Sequence, residues 1–217
     1  KSIYNITEDF FTFLKDKAKE SMVLDYGCGN GSFVERVIQY EPKKITGVDI
    51  SEVSIDKAKK RANELNIDVN YTIDNCEKTK FNDKSFDIVY GTGILHHLEI
   101  NKCLDEIYRI LKFKGSFVFV EPLGTNPIIN LYRKLTPRSR SKDEHPLIDK
   151  DFEYIKNKFN NINIKYYGFL TLIFFPFYGS PKNSKIFRLL ADLDQYLFKL
   201  KFFQTFAWSC LITAEKN

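Results

Sequence analysis

The stretch Val23–Phe33, VLDYGCGNGSF, decides the fold of this 217-residue chain. An apolar run ends in Asp25, and three glycines at alternate positions follow it: Gly27, Gly29 and Gly31. A strand that runs into a glycine-rich loop and then a helix places a tight turn at the carboxyl edge of a parallel sheet, where open α/β folds bind ligands. Because glycines lack Cβ atoms, the loop backbone can approach a ligand closely.

The loop does not fit a nucleotide-phosphate cradle. A dinucleotide-binding pattern places its third glycine three positions after the second, where this chain has Ser32, and the Gly-Lys-Ser/Thr of a Walker loop is absent. Asp25 and Asp49 would also bring two negative charges towards any phosphate. The loop instead suits a ligand that carries positive charge and ribose hydroxyls.

Composition bounds the class of protein. A hydrophobic fraction of 43% can build one sizeable core, so we expect a single domain over residues 1–217. The net charge of +5 is too mild to indicate a nucleic-acid partner. The four cysteines have neither metal-ligand nor redox-motif spacing, which predicts reduced thiols, no metal site and a cytoplasmic protein. The longest apolar run, Phe169–Tyr178, is too short for a transmembrane helix.

Strand-like and helix-like segments alternate over the first 120 residues, as in a parallel sheet covered by helices on both faces. Two later segments alternate in the same way as strands. The sequence predicts a Rossmann-like, doubly wound α/β fold whose seven-stranded sheet is mostly parallel, with an antiparallel last strand. The predicted strands are Met22–Asp25, Lys44–Val48, Asp68–Ile73, Phe86–Tyr90, Ser116–Val120 and two runs around Ile162–Tyr166 and Phe206–Ile212.

Helical spacing of apolar residues predicts the intervening helices, and Gly115 is expected to end the helix before the fifth strand. The proline-broken segment 124–150 is predicted to be a lid or acceptor loop. A helical stripe preceded by aromatic residues predicts an insertion at 170–201, between the last two strands.

Four motifs occur in the order and spacing of one family: LDYGCGNGSF, GVDIS, FDIVYGTGILHHLE and LKFKGSFVFVEP. Over essentially its first 121 residues, the chain resembles the class I S-adenosylmethionine-dependent methyltransferases, of the small-molecule, methyltransferase domain 11-like type. The resemblance implies S-adenosyl-L-methionine as cofactor and S-adenosyl-L-homocysteine as product.

The resemblance also implies positions for the cofactor. Asp25, Gly27 and Gly29 would line its methionine end, and Asp49, at the end of the second strand, would accept from the ribose hydroxyls. The residues implied in cofactor binding are Asp25, Gly27, Cys28, Gly29, Asp49, Ile50, Asp74, Asn75, Cys76, Gly91 and Thr92.

The adenine position departs from the common family pattern. Asn75 stands where an aspartate is usual, with Asp74 in the place of a glycine and Cys76 in that of an alanine. An asparagine oxygen can also accept from the adenine amino group, so Asp74 and Asn75 both remain candidates. Gly91 and Thr92 would lie beside the methionine portion.

A hydroxyl acceptor would need a general base, and histidine is the side chain best matched to neutral pH. The chain has three histidines. His96 follows the fourth strand, His145 lies beside Asp143 and Glu144, and both are candidate bases. His97 occupies a position where the family often has a structural histidine.

The predicted function is methylation of a small molecule, on oxygen. The alternatives are N- or C-methylation of a lipid-like or quinone-like acceptor, and a catalytically inactive cofactor-binding module. The aromatic run Phe169–Tyr178 is open to two interpretations: part of the core or a lid, or the site of an apolar or amphipathic acceptor. The basic cluster Arg133–Lys142 is open to three interpretations: a solvated face, an anchor for an acidic acceptor, or a peripheral contact with an anionic membrane. The sequence leaves the oligomeric state open.

Overall fold

The computed structural model describes residues 4–136, 144–177 and 184–217. Within these ranges it contains seven strands: β1 Met22–Tyr26, β2 Lys44–Asp49, β3 Val69–Ile73, β4 Phe86–Thr92, β5 Leu111–Pro122, β6 Asn160–Tyr167 and β7 Ser209–Glu215. The α helices of the same ranges are α1 Tyr4–Lys17, α2 Val34–Val37, α3 Glu52–Glu64, α4 Ile100–Ile110, α5 Pro127–Leu135, α6 Asp149–Lys158, α7 Lys185–Leu197 and α8 Lys201–Gln204.

All seven strands form one sheet in the order β3-β2-β1-β4-β5-β7-β6. The first five strands pair with one another in parallel: β3 with β2, β2 with β1, β1 with β4 and β4 with β5. β7 runs antiparallel to both of its neighbours, β5 and β6. The predicted fold class is therefore confirmed.

Strand alternation divides the core between the two faces of the sheet. In β1, Leu24 joins the cluster that contains the apolar stripe of α4, whereas Val23 joins the cluster of α1 on the opposite face. Val89 and Ile88 of β4 divide in the same way. Successive side chains of a strand point to opposite faces, so a sheet with helices on both sides needs apolar residues at every position.

One boundary differs from the prediction. The helix before the fifth strand ends at Ile110, and β5 begins immediately at Leu111, so Gly115 lies inside the strand and does not end the helix. The last helical residue, Ile110, and the first strand residue, Leu111, are both apolar, so the sequence does not mark where the backbone changes from helix to strand.

The carboxyl ends of β1, β4, β5 and β6 lie at one edge of the sheet, because β6 and β5 are both antiparallel to β7. α5 follows β5 there, and the 3₁₀ helix Leu170–Phe177, α7 and α8 lie between β6 and β7. We call α5, α7 and α8 the cap. Of the predicted lid, residues 137–143 lie outside the described ranges, as do Tyr178 and much of the basic cluster; the lid role stays a prediction. Among the described residues, no helix combines the length and the apolar character needed to cross a bilayer.

Candidate cofactor and base site

The glycine loop after β1 is bound to its neighbours through backbone contacts. The amides of Gly27 and Cys28 both donate to the Val48 carbonyl at 2.9 Å. Gly27 has φ +71°, and a Cβ atom there would lie 2.4 Å from Cγ1 of Ile94 in the segment after β4. Gly29 has φ +50° and open space where a Cβ would point. The loop is thus tight at its start and open at Gly29, as a ligand cradle requires.

Asp49 links the ends of β1 and β2. Its Oδ2 accepts from the Gly29 amide and its Oδ1 from the Ser51 amide, each at 2.9 Å. A carboxylate oxygen has a second lone pair, so both oxygens can still accept from a ribose diol. Next to it, Ile50 is 72% exposed, an apolar side chain available to a ring. This pair fits the ribose and adenine side of a nucleoside.

Asp25 is buried at the end of β1. Burial raises the pKa of its carboxyl from the ordinary 3.8 to about 7, and the negative charge of Asp49 adds to the rise. A cation placed beside this carboxyl would favour its ionised form. Asp25 therefore suits the positively charged end of a ligand.

The predicted adenine residues follow β3. Asp74 accepts from the amides of Asn75 at 2.9 Å and Lys80 at 2.8 Å, and Oδ1 of Asn75 accepts from the Glu77 amide at 2.8 Å. Cys76 is buried. Asp74 and Asn75 shape their loop through these bonds, and which of them contacts a base stays a prediction.

Gly91 and Thr92 end β4 at the same edge. A Cβ atom at Gly91 would lie 2.7 Å from the Tyr26 carbonyl oxygen and 2.6 Å from the ring of Phe119, so only glycine fits between β1 and β5 here. The structure thus brings all the predicted cofactor residues to the carboxyl ends of β1 to β4 and the loops that follow them.

Sequence reasoning missed Glu121, a side chain with several hydrogen bonds at this edge. It is completely buried at the end of β5 and accepts from the amides of Ile94 and Leu95, each at 2.9 Å. The Nδ1 atom of His96 lies 2.7 Å from its Oε2. Two signals in the sequence were available: an acid that directly follows an apolar strand, and a histidine at the end of the neighbouring parallel strand.

His96 and His145, the two candidate bases, are adjacent but differ in surroundings. The His145 amide donates to the His96 carbonyl at 2.6 Å, which places the 144–148 segment beside the base site. The side chain of His145 is 54% exposed, and its Nε2 lies 3.7 Å from Oδ2 of Asp151. That of His96 is only 11% exposed. His96 is the one held in a fixed orientation.

A possible metal group lies at the same place, although no metal site was predicted. His96, His97 and Glu144 each offer a ligand atom, and these atoms lie within 4.8 Å of one another. The described residues contain no other such group. A metal here would bind Nε2 of His96, because Nδ1 is already in contact with Glu121.

This edge fits a nucleoside with a cationic tail. Gly29 leaves open space, Asp49 can still accept hydrogen bonds, and the buried Asp25 suits a positive charge. The sheet order defines a Rossmann-like domain, and these residues lie at the carboxyl edge of its parallel strands. Residues 24–119 match the family model described as "Methyltransferase domain".

Curated relatives cover part of the chain. The ubiquinone/menaquinone biosynthesis C-methyltransferase UbiE of Zymomonas mobilis is 33% identical over 130 residues, 58% of this chain and 53% of the relative. The tRNA U34 carboxymethyltransferase of Nautilia profundicola is 36% identical over 75 residues, 35% of this chain and 25% of that protein. The chain spans about half the length of the UbiE relatives it matches.

Solved structures extend the likeness to the whole fold. Geranyl diphosphate C-methyltransferase of Streptomyces coelicolor superposes with a TM-score of 0.72 at 17% identity, covering 98% of this chain and 78% of that one. The PH0226 protein of Pyrococcus horikoshii gives 0.64 at 20% identity, with 100% and 92% covered. The chain is thus similar to methyltransferases in sequence over residues 24–119, and it shares the Rossmann-like fold of these solved structures over nearly its whole length.

Proposed function

We propose that the chain transfers a methyl group from S-adenosylmethionine to a hydroxyl-bearing small molecule, with His96 as general base. The observation that carries the proposal is the 2.7 Å contact between Nδ1 of His96 and Oε2 of Glu121, at the sheet edge that carries the cofactor residues. A buried carboxylate that orients a histidine is the arrangement expected of a base that must take a proton near neutral pH.

The contacts of Glu121 select the tautomer of His96 that accompanies an ionised carboxylate. An ionised Glu121 accepts only, so Nδ1 of His96 carries its proton and Nε2 has the free lone pair. Oε1 of Glu121 also accepts two backbone amides, which hold the carboxylate without neutralising it. When Nε2 takes a proton from an acceptor hydroxyl, the carboxylate stabilises the imidazolium that forms.

S-adenosylmethionine supplies an electrophilic methyl group on a sulfonium, which needs no further activation. The chain's contribution on the cofactor side is therefore to bind and align. Asp25 would face the cationic end, Gly29 would leave room beside it and Asp49 would hold the ribose. In-line displacement gains chiefly from such alignment.

Oxygen is the first candidate for the methylated atom, since loss of the hydroxyl proton makes it the nucleophile. Carbon is the second candidate, because relatives and structural neighbours are named as C-methyltransferases. Deprotonation of a phenolic hydroxyl also makes the neighbouring ring carbon nucleophilic. After methyl transfer that carbon loses its ring proton and the oxygen regains one, so the same base serves both reactions.

Label transfer from methyl-labelled S-adenosylmethionine to a panel of phenols, quinols and prenyl alcohols tests the proposal. We expect transfer to a hydroxylated member, and a loss of roughly 10²–10⁴ in kcat in His96→Gln. The neighbouring His97→Gln variant is the matched control and should change kcat far less. NMR of the product separates O-methyl from C-methyl. Unchanged kcat in His96→Gln would contradict the base assignment, and cofactor binding without transfer to any acceptor would favour the inactive module.

A further inference from the structure

The cap exposes apolar side chains that no described element covers. On α5 these residues follow a helical stripe, with exposures between 53% and 73%: Ile128, Leu131, Tyr132 and Leu135. On α7 a second stripe has exposures between 41% and 67%: Ile186, Leu189, Leu193 and Tyr196. Leu200 and Phe202 continue it towards α8. Exposed apolar surface on this scale, concentrated in one part of a protein, marks an interaction site.

Both helices are amphipathic with the apolar stripe facing outward. α7 contacts the rest of the protein through a different face, on which Phe187, Ala191 and Asp194 are buried. Asp194 fixes that orientation, because its carboxylate accepts from the amides of Leu170 and Thr171. α7 therefore packs on the protein through its other face, and its apolar stripe is exposed in this packed position.

Charge on the cap selects the kind of partner. Within the described part of the cap and its α7–α8 connection, the exposed charged side chains are five cations and one carboxylate: Lys134, Lys185, Arg188, Lys199, Lys201 and Asp192. Two copies of such a surface would repel each other in a symmetric dimer. Apolar stripes flanked by lysine and arginine instead match the interface of an anionic bilayer.

The position of the cap agrees with this partner. The side-chain amide of Asn126, at the start of α5, donates to the Phe206 carbonyl just beyond α8. α5 and the α7–α8 unit thus meet at the sheet edge that holds the cofactor residues and His96. We propose that the cap docks on an anionic lipid surface, with the stripes of α5 and α7 entering the headgroup region. A docked chain would then take its acceptor from the bilayer, a consequence that rests on the proposed function.

Vesicle sedimentation tests the docking. We expect the full chain to sediment with vesicles of mixed phosphatidylglycerol and phosphatidylcholine, more weakly with phosphatidylcholine alone, and less as salt rises. The double variant Leu189→Glu/Leu193→Glu should lower binding at least about tenfold, since each buried apolar side chain contributes to the affinity. Phe113→Glu is the matched control and should leave binding unchanged, because Phe113 is 67% exposed but lies near the start of β5, away from the cap.

A second pair of variants separates charge from apolar contact. Lys185→Ala/Arg188→Ala should weaken binding to the anionic vesicles by roughly fivefold for each cation removed. Lys57→Ala/Lys59→Ala, on exposed positions of α3, should not change it.

Three results would overturn the proposal. The first is no binding to either vesicle, and the second is equal binding by every variant. The third is a chain that binds no vesicle but forms a dimer in light scattering, which Leu189→Glu/Leu193→Glu dissociates. The assay needs neither cofactor nor acceptor. A negative result in the vesicle assay would therefore not contradict the proposed methyl transfer, and a negative result in the transfer assay would not contradict docking.

Discussion

Protonation of Asp25 is expected to control the affinity for the cofactor. In the free protein burial raises the pKa of this carboxyl to about 7. The ammonium of the cofactor's methionine end, placed against Asp25, would favour the ionised form and lower that pKa on binding. Below pH 7 binding must then release a proton, so affinity increases as pH rises through the free-protein value.

The magnitude follows from the pKa. If the bound pKa falls below about 5, the affinity at pH 8 exceeds that at pH 6 by about tenfold, or about 1.4 kcal/mol. At pH 6 about 0.9 proton should leave for each cofactor bound, because that fraction of a group with pKa 7 is protonated. Calorimetry with S-adenosylhomocysteine in buffers of different ionisation enthalpy measures both quantities.

The Asp25→Asn variant is the control, and it should bind with no dependence on pH between 6 and 8 and release no proton. It also has an effect on stability. The native pKa lies above the ordinary 3.8, so the native state holds the extra proton and wild-type stability falls as pH rises from about 4 to 7. Asp25→Asn should not lose stability over this pH range. For the wild type, the difference between the two pKa values corresponds to a loss of about 4 kcal/mol in the free energy of unfolding. Affinity that is independent of pH in the wild type, with no proton released, would refute the reasoning.

Three further outcomes can be checked. Gly27→Ala should lower the free energy of unfolding by about 2–4 kcal/mol, because the added Cβ has no room and φ is positive. Gly29→Ala has open space for its Cβ and should lower that free energy by only about 1 kcal/mol. Urea titrations measure both values. Glu121→Gln should lower kcat by about tenfold or more while leaving S-adenosylhomocysteine affinity within about twofold, because it disturbs the orientation of His96 and not the cofactor pocket; equal losses in both would point to misfolding of the edge. Chelation with EDTA should leave kcat unchanged; a loss restored by Mn²⁺ or Zn²⁺ would instead make His96 a metal ligand, together with His97 and Glu144.

The central sheet could be predicted from the sequence because its signals are local. Strand-like runs alternate with helical stripes over the first 120 residues, and a glycine or an acid stands at the end of each of the first five runs or directly after it. Parallel strands bring those ends to one edge, and the family resemblance of the motifs assigned residues as far apart as Asp25 and Gly91 to one site there.

The base site depends on long-range register, which the sequence does not display. Glu121 and His96 are 25 residues apart, and their contact requires Thr92 to pair with Val120 so that the loop after β4 reaches the end of β5. Local pattern could identify each residue but not their pairing. The bond between His145 and His96 depends in the same way on the 144–148 segment returning to the end of β5.

The cap shows a different limit. The segment of α7 has apolar residues on more than one face, so helical spacing predicts the helix without saying which face packs inward. In the structure Leu193 is 41% exposed, and the buried face of α7 runs through Phe187 and Ala191. The choice is made by Asp194, whose carboxylate binds the amides at the start of the 3₁₀ helix.

Selective ¹⁵N-glycine labelling tests the central claim most directly, because the chain has ten glycines and several lie in the proposed cofactor pocket. On titration with S-adenosylhomocysteine, the amide signals of Gly27, Gly29 and Gly91 should shift in a saturable manner. That of Gly115, near the start of β5 at the opposite edge of the sheet, should not move. No shift in a folded sample, or shifts confined to Gly115, would contradict the assignment of this edge as the cofactor site.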